Sequence, residues 1–376
     1  TDGQVIPIRS HDVVARVTAQ ASRQPGLAAV TLDLLDFAGD EIYFAEIAEL
    51  EGKTYSEALL SFNAASVIGF VDNQGSCKLN PLPSSTIGEG SKIVAIAQDD
   101  DKVVFTGIQR DFSRATPSPA ANRVRRPEHI MFIGWSSMGR SVVNELAGFL
   151  PEGSTVHIVA EKKHVSPEEL QGLEFGENIK VSYASVSGDI DDLVSAASAR
   201  HYDEIVILGY HEAISFSEAD AQTMLTMLQM NQLFDAKGNG VEPTRLVAEI
   251  LDSRKTELAR VAAADDMVVS DHLAALLIAQ VSENPGLAPI FDDLFDAAGA
   301  SLNVNPIEDY VSLGNPVEFA QLVAAGISFG ESVIGYRQVE NSKNEARGGV
   351  RLNPAKSEIF TPVKGDGLIV VGVTRK

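Results

Sequence analysis

Between Ser10 and Gly39 the chain reads "SHDVVARVTAQASRQPGLAAVTLDLLDFAG". Val13, Val14, Val17 and Ala21 recur at helical spacing, Pro25-Gly26 breaks the run, and a shorter apolar stretch resumes before β-branched runs separated by Gly and Asn turns. That order predicts a helix, a break, a short helix and then strands, an α+β unit. The same pattern returns at 270–299 as "SDHLAALLIAQVSENPGLAPIFDDLFDAAG". Ala19-Gln20 matches Ala279-Gln280, Pro25-Gly26-Leu27 matches Pro285-Gly286-Leu287, and Asp33, Asp36 and Gly39 match Asp293, Asp296 and Gly299 without a slip of register. Further on, "SVIGF" (66–70) answers "SVIGY" (332–336), "LNP" (79–81) answers "LNP" (352–354), and "EGSKIVAIA" (89–97) answers "KGDGLIVVGV" (364–373). A repeat of this length predicts two copies of one fold over 10–105 and 270–376. Helical positions Val13, Val14, Val17 and Ala21, and Leu273, Leu276, Leu277 and Val281 in the second copy, carry more apolar surface than one small lobe covers, which predicts burial against a neighbouring lobe or subunit.

The middle of the chain has another rhythm. "HIMFIG", "STVHIVAE", "NIKVSYAS", "YDEIVILG" and "TRLVAEIL" alternate with helical stretches at 139–150, 190–200 and 217–234. Strands alternating with amphipathic helices predict a Rossmann-like, doubly wound parallel sheet, so the fold class is α/β with a repeated α+β unit on either side. Residues 110–127, rich in Pro, Ser and Arg and without periodicity, read as a linker.

One turn in this middle segment has the outline of a nucleotide site. In "IMFIGWSSMGRSVV" (130–143), Gly134 ends an apolar run and Gly139 opens a helix, the first and last positions of a phosphate-binding glycine turn. Ser136 stands where the middle glycine belongs, and bulky Trp135 sits inside the turn. Glu161 ends the second strand, where an acidic residue receives ribose hydroxyls in working sites. The residues alone admit a bound nucleotide or a relic of such a site; with Trp135 in the turn, the expectation is a shell that holds none.

Charge narrows the partners. The chain of 376 residues carries 52 acidic against 30 basic residues, a net charge of −22, which repels nucleic acid and anionic lipid and draws cations. No apolar run approaches the ~20 residues of a membrane helix. Cys77 is the single cysteine, so no intrachain disulfide forms and a reducing compartment is the simpler setting. Glu161, Asp189, Glu249 and Asp252 all follow predicted strands and are expected at the carboxyl edge of the sheet, where a cluster would take a hard cation, Ca²⁺ foremost. The seven histidines show no ligand spacing, "QDDDK" (98–102) reads as a solvated loop, and no GxSxG, HExxH or P-loop occurs. No catalytic residue is assigned, and an enzyme is not expected.

The segments "QPGLAAVTLDLLDF", "EGSKIVAIAQDDD", "IMFIGWSSMG", "AEILDSR" and "VIGYR" resemble, in the same order, the cytosolic region of the CASTOR and POLLUX ion channels of plant nuclear envelopes and their bacterial relatives. Their cytosolic parts are tandem RCK (regulator of potassium conductance, TrkA-like) domains. The resemblance implies a first RCK C-lobe at 1–109, the linker at 110–127, a second Rossmann-like N-lobe at 128–268 and a second C-lobe at 269–376. It also implies a partner portion, the pore and first N-lobe, since only "TDGQVIPIR" precedes the first repeat. The implied function is a ligand- or ion-sensing gating-ring module of a tetrameric cation channel, on the cytoplasmic side of a membrane, associated with calcium and potassium. Two other readings share parts of the pattern: a nucleotide-binding regulatory subunit of a potassium transporter, and an NAD-dependent oxidoreductase built on Gly134, Gly139 and Glu161. The repeated α+β unit opposes the second of these.

Overall fold

The computed structural model describes residues 7–107, 126–173, 175, 179–237, 244–262, 265–296, 299–342 and 348–373. The expected linker at 110–127 lies outside the described residues except for its last two. The first repeat begins with α1 (Ser10–Arg23) and α2 (Leu27–Leu35), separated by Gly26 at φ +87°. There follow β1 (Glu41–Glu46), α3 (Tyr55–Leu59), β2 (Ala65–Val71), β3 (Cys77–Leu79) and β4 (Lys92–Ala97). Thr54 caps α3 in a reciprocal capping box with Glu57, satisfying two amides that the helix leaves open. The four strands make an antiparallel sheet in the order β1-β4-β2-β3.

The middle segment forms β5 (His129–Ile133), α4 (Ser137–Ala147), β6 (Thr155–Glu161), α5 (Pro167–Gln171), β7 (Lys180–Val186), α6 (Ile190–Ser198), β8 (Glu204–Ile207), α7 (Phe216–Lys237), β9 (Arg245–Ile250), α8 (Thr256–Val261) and β10 (Asp266–Val269). Its six strands are all parallel, in the order β10-β9-β8-β5-β6-β7. Counted from β5, this is the 3-2-1-4-5-6 winding of a Rossmann sheet, whose order reverses between β5 and β8. Helix α1 packs on this sheet through α4, β8, β9 and β10. Nearly every α1 residue from Val13 to Ser22 is buried, and Asp266 Oδ2 accepts the amides of Gly26 and Ala28 at 3.0 and 3.2 Å just beyond the helix. Chain contacts therefore group Pro7–Ala28 with the middle lobe as one compact unit ending at Ile278.

The second repeat comprises α9 (Ser270–Glu283), α10 (Ala288–Leu294), β11 (Ser301–Pro306), β12 (Val317–Glu318), α11 (Phe319–Ser328), β13 (Ser332–Arg337), β14 (Val350–Leu352), β15 (Ile359–Phe360) and β16 (Gly367–Gly372). Its main sheet runs β11-β16-β13-β14, which is the order of the first repeat strand for strand. The likeness extends to defects: the β2/β4 register shifts between Val67 and Gly69, and β13/β16 shifts between Val333 and Gly335. A side chain on Gly69 would meet Lys78 O, and one on Gly335 would meet Arg351 O, so the "SVIG" glycine recurs because the bulged strand presses on its neighbour.

Ala29 onward in the first repeat and Ala279 onward in the second form the other compact unit. One core serves both copies, joining Leu50, Tyr55, Phe62 and Phe70 to Tyr310, Phe319, Leu322 and Tyr336. Among the described residues no helix is long and apolar enough to cross a membrane.

Candidate functional site

The glycine turn sits where the strand order of the parallel sheet reverses, the place at which such sheets bind ligands. Gly134 has φ +86°, and a side chain there would collide with Leu208 O on the segment after β8. Its identity is fixed by the bend and by that close approach. Gly139 has a different neighbour. A Cβ at this position would lie 2.7 Å from Cε3 and Cζ3 of Trp135, so the glycine makes room for the indole on the first turn of α4. Trp135 is 5% exposed and meets Phe132 and Phe175 edge-on, at centroid distances of 6.2 and 6.4 Å. The space next to the turn is thus filled by the chain's own aromatic ring.

The helix N-terminus is also taken. Ser136 is the N-cap of α4 but makes no side-chain cap, and its buried hydroxyl has no hydrogen-bond partner. Glu212, from the loop after β8, accepts the Ser137 amide on Oε1 at 3.1 Å. A carboxylate there satisfies an open amide and the positive end of the helix, as a phosphate would. What remains beside Gly134 is a cavity of about 10 Å³ lined by Glu161, Leu208, Tyr210, Gln222 and Thr223 among others. It has room for one water, whereas ligand clefts run to roughly 300–1,000 Å³. These residues do not fit a dinucleotide.

Glu161 is buried at the end of β6 and pairs with Lys163 Nζ at 2.7 Å, with His164 Nε2 at 3.7 Å. Tyr210 accepts the Glu161 amide on its hydroxyl at 2.9 Å and lies against the His164 ring, 4.6 Å between centroids. Burial holds the His164 imidazole below its ordinary value although the Glu161 carboxylate opposes it, and burial raises the Tyr210 hydroxyl. A side chain on Gly188 would meet Glu161 Oε2 at 2.6 Å, so the segment entering α6 closes over the carboxylate. That leaves Glu161 committed to internal partners.

The other three carboxylates are engaged separately. Asp189 is exposed and accepts the Ser187 hydroxyl at 2.9 Å. Glu249, 1% exposed at the end of β9, accepts Ser270 Oγ at 2.7 Å while its Oε2 has no hydrogen-bond partner, and burial raises its pKa above the usual carboxylate value. Asp252 holds Arg254 in a two-pronged contact at 2.9 and 2.7 Å, and these bonds bring its carboxyl down to about 2. Among the described residues no three His, Cys, Asp or Glu side chains gather to hold a metal ion. The expected set of Glu161, Asp189, Glu249 and Asp252 does not fit Ca²⁺, which takes 6–8 oxygens at once.

Residues that the local pattern did not single out do much of the work here. Glu212 and Tyr210 lie in "LGYHEA", directly after the strand that adjoins the glycine turn, and their position relative to that turn depends on the strand order. Asp220, fully buried on α7, accepts the amides of Leu251 and Asp252 and the Lys255 ammonium at 3.2 Å, fixing the loop after β9.

Residues 11–111 match the family model described as Castor and Pollux, part of voltage-gated ion channel. The chain is 27% identical over 369 residues to the ion channel POLLUX of Lotus japonicus, covering 87% of this chain and 39% of the relative. It is 26% identical over 361 residues to the ion channel CASTOR of the same plant, covering 87% and 42%. The chain therefore spans about two fifths of the length of the curated relatives it matches. Among solved structures, the human SLO3 gating ring shares the fold over 98% of this chain and 76% of that one, at a TM-score of 0.65 and 14% identity.

Proposed function

We propose that this chain, which is similar to the CASTOR and POLLUX ion channels, is the regulatory module of such a channel, a part of a cytosolic gating ring whose conformations bias a pore carried elsewhere in the polypeptide. The observation that carries this reading is the pairing of a gating-ring fold along nearly the whole chain with a glycine turn closed by its own side chains. An oxidoreductase needs an open approach to a nicotinamide; here Trp135 and Glu212 stand in that approach. The module is non-enzymatic in this reading. It works by differential stability: whatever it senses binds one ring conformation more tightly and so shifts the population of open pores. Its partners are further copies of itself in a tetrameric ring and the pore-bearing portion of the same polypeptide.

Single-channel recording on the longer channel polypeptide, with and without residues 128–376, tests the proposal. Unitary conductance is expected to persist in the truncated channel while regulated changes in open probability disappear. Identical gating in the two would overturn it, as would saturable, turnover-competent NAD binding by the chain itself.

A further inference from the structure

The two repeats pair through reciprocal contacts, and at one place the reciprocity is broken by a buried lysine. On one side, Tyr55 at the start of α3 brings its hydroxyl to Ser332 Oγ at 2.6 Å. The equivalent of Tyr55 in the second repeat is Phe319, at the start of α11 and likewise preceded by a capping box, and it has no hydroxyl. The equivalent of Ser332 is Ser66. Its partner on that side is Lys356, whose Nζ donates to Ser66 Oγ at 3.1 Å and to Ala65 O at 3.2 Å and lies 5.0 Å from the centre of the Phe319 ring. Pro83 occupies the matching place in the first repeat, where its carbonyl accepts Ser56 N as that of Lys356 accepts Ala320 N. An amine has thus taken the place of a phenol.

That exchange puts a titratable nitrogen, 2% exposed, into the core that both repeats share. Among the described residues, none gives it a counter-charge. β2 presents Ala65 and Ser66, and α11 presents the Phe319 ring. On the lysine's own loop, Glu358 is engaged by Tyr336 at 2.6 Å and Arg351 at 3.1 Å. Asp40 is held one amide away, by Asn353 Nδ2 at 2.9 Å. A neutral amine has two N–H donors, and two acceptors face it. An ammonium adds a third proton and a full charge, which the aromatic ring offsets only in part.

We propose that Lys356 is a proton-operated clasp between the paired repeats, tight while its amine is neutral and loosened when the amine takes up a proton. Burial supports the working range, bringing the group from its ordinary 10.5 down to about 7. The unfolded chain keeps the lysine charged up to its ordinary value, so folding releases a proton between the two. Stability must then rise with pH across that window and level off at its lowest value below about 7, where both states carry the proton.

The test is urea unfolding of the full chain from pH 6 to 9.5, for the wild type and Lys356→Met. Relative to the variant, the wild-type unfolding constant is expected to fall about tenfold per pH unit between pH 7.5 and 9.5. Parallel profiles would overturn the clasp. A second measurement needs no variant: in the folded wild type, ¹³C NMR is expected to show one lysine Cε resonance titrating near pH 7. Hydrogen exchange in peptides covering 64–71 and 350–356, corrected for intrinsic rates, is expected to quicken as pH falls from 9.5 toward that midpoint and to level off below it. All lysines titrating near 10, or protection unchanged between pH 9.5 and 7, would each reject the proposal.

Discussion

Asn353 stands to Ser66 as Asn80 stands to Ser332. Ser66 Oγ donates to Asn353 Oδ1 at 3.0 Å and Ser332 Oγ donates to Asn80 Oδ1 at 2.7 Å; the two amide groups then donate to Ala64 O and Gly330 O at 3.0 and 2.8 Å. Both asparagines lie in the left-handed region, at φ 44° and 39°. The repeated "LNP" therefore does two tasks at once. It turns the chain after β3 and β14, and it ties each repeat to the bulged strand of the other. Asn suits the position because it tolerates that backbone and carries both a donor and an acceptor.

Replacing either asparagine is expected to cost nearly the same. Asn80→Ala removes two part-buried hydrogen bonds, strands their partners and adds a left-handed backbone cost, together about 2–4 kcal/mol by urea unfolding. Asn353→Ala is expected in the same range, and Asn80→Gly to recover the backbone share. A large loss at one site with less than ~0.5 kcal/mol at the other would show that the two contacts are not equivalent.

The strands and the Rossmann winding were legible because alternation, glycine bends and a clean repeat are local signals. Gly134 was readable for the same reason: a positive φ at the end of a strand leaves few alternatives to glycine. The use of Gly139 was not, since the atom it accommodates belongs to Trp135 and sequence spacing alone assigns that glycine to a phosphate. Strand order brings Glu212 to the turn, and this too is long-range information. The acidic excess misled in a particular way: Asp252 spends its charge on Arg254 two residues away, Asp189 stays exposed beside Ser187, and among the described residues no three such side chains gather to hold a cation. The first repeat's helix α1 looked like part of its own lobe, yet it is buried on the parallel sheet, which explains why apolar positions cover more than one of its sides.

Gly139→Ala is expected to destabilise the middle lobe by about 1–3 kcal/mol, because the new methyl must push the Trp135 ring off the helix. Trp135 is the single tryptophan, so intrinsic fluorescence reports this site alone. A shifted emission maximum in the folded variant is the accompanying signature. An unchanged spectrum with unchanged stability would mean the ring is not seated as described.

Removing the carboxylate from the start of α4 is expected to expose an anion site without restoring a nucleotide site. Glu212→Ala leaves the Ser137 amide open, at a cost of about 0.5–1 kcal/mol in low salt. Sulfate is then expected to raise the melting temperature of the variant beyond a chloride control of equal ionic strength, and to leave the wild type at its control value. NAD is expected to add nothing in either protein, because Trp135 still fills the neighbouring space. Equal sulfate responses in wild type and variant would show that Glu212 does not occupy the helix end.

Glu249→Gln is expected to stabilise the chain at pH 8. The carboxyl is buried at the end of β9 with Ser270 on one oxygen and no hydrogen bond on the other, and burial raises its pKa in the folded state. A carboxyl whose folded value lies above its unfolded value of 4.5 contributes its full stability below that unfolded value, where it is neutral in both states. The contribution is lost as pH rises through the raised folded value, because the unfolded chain ionises freely and the folded one must bury the charge. Glutamine is neutral throughout and retains an oxygen for Ser270. The variant is therefore expected to match the wild type within ~0.5 kcal/mol at pH 4.5 and to exceed it by about 1–3 kcal/mol at pH 8. Unfolding curves at the two pH values decide the matter. A variant weaker than the wild type at pH 8 would mean that His211 and the Gly209 amide, which favour the charged form, outweigh burial at this carboxylate.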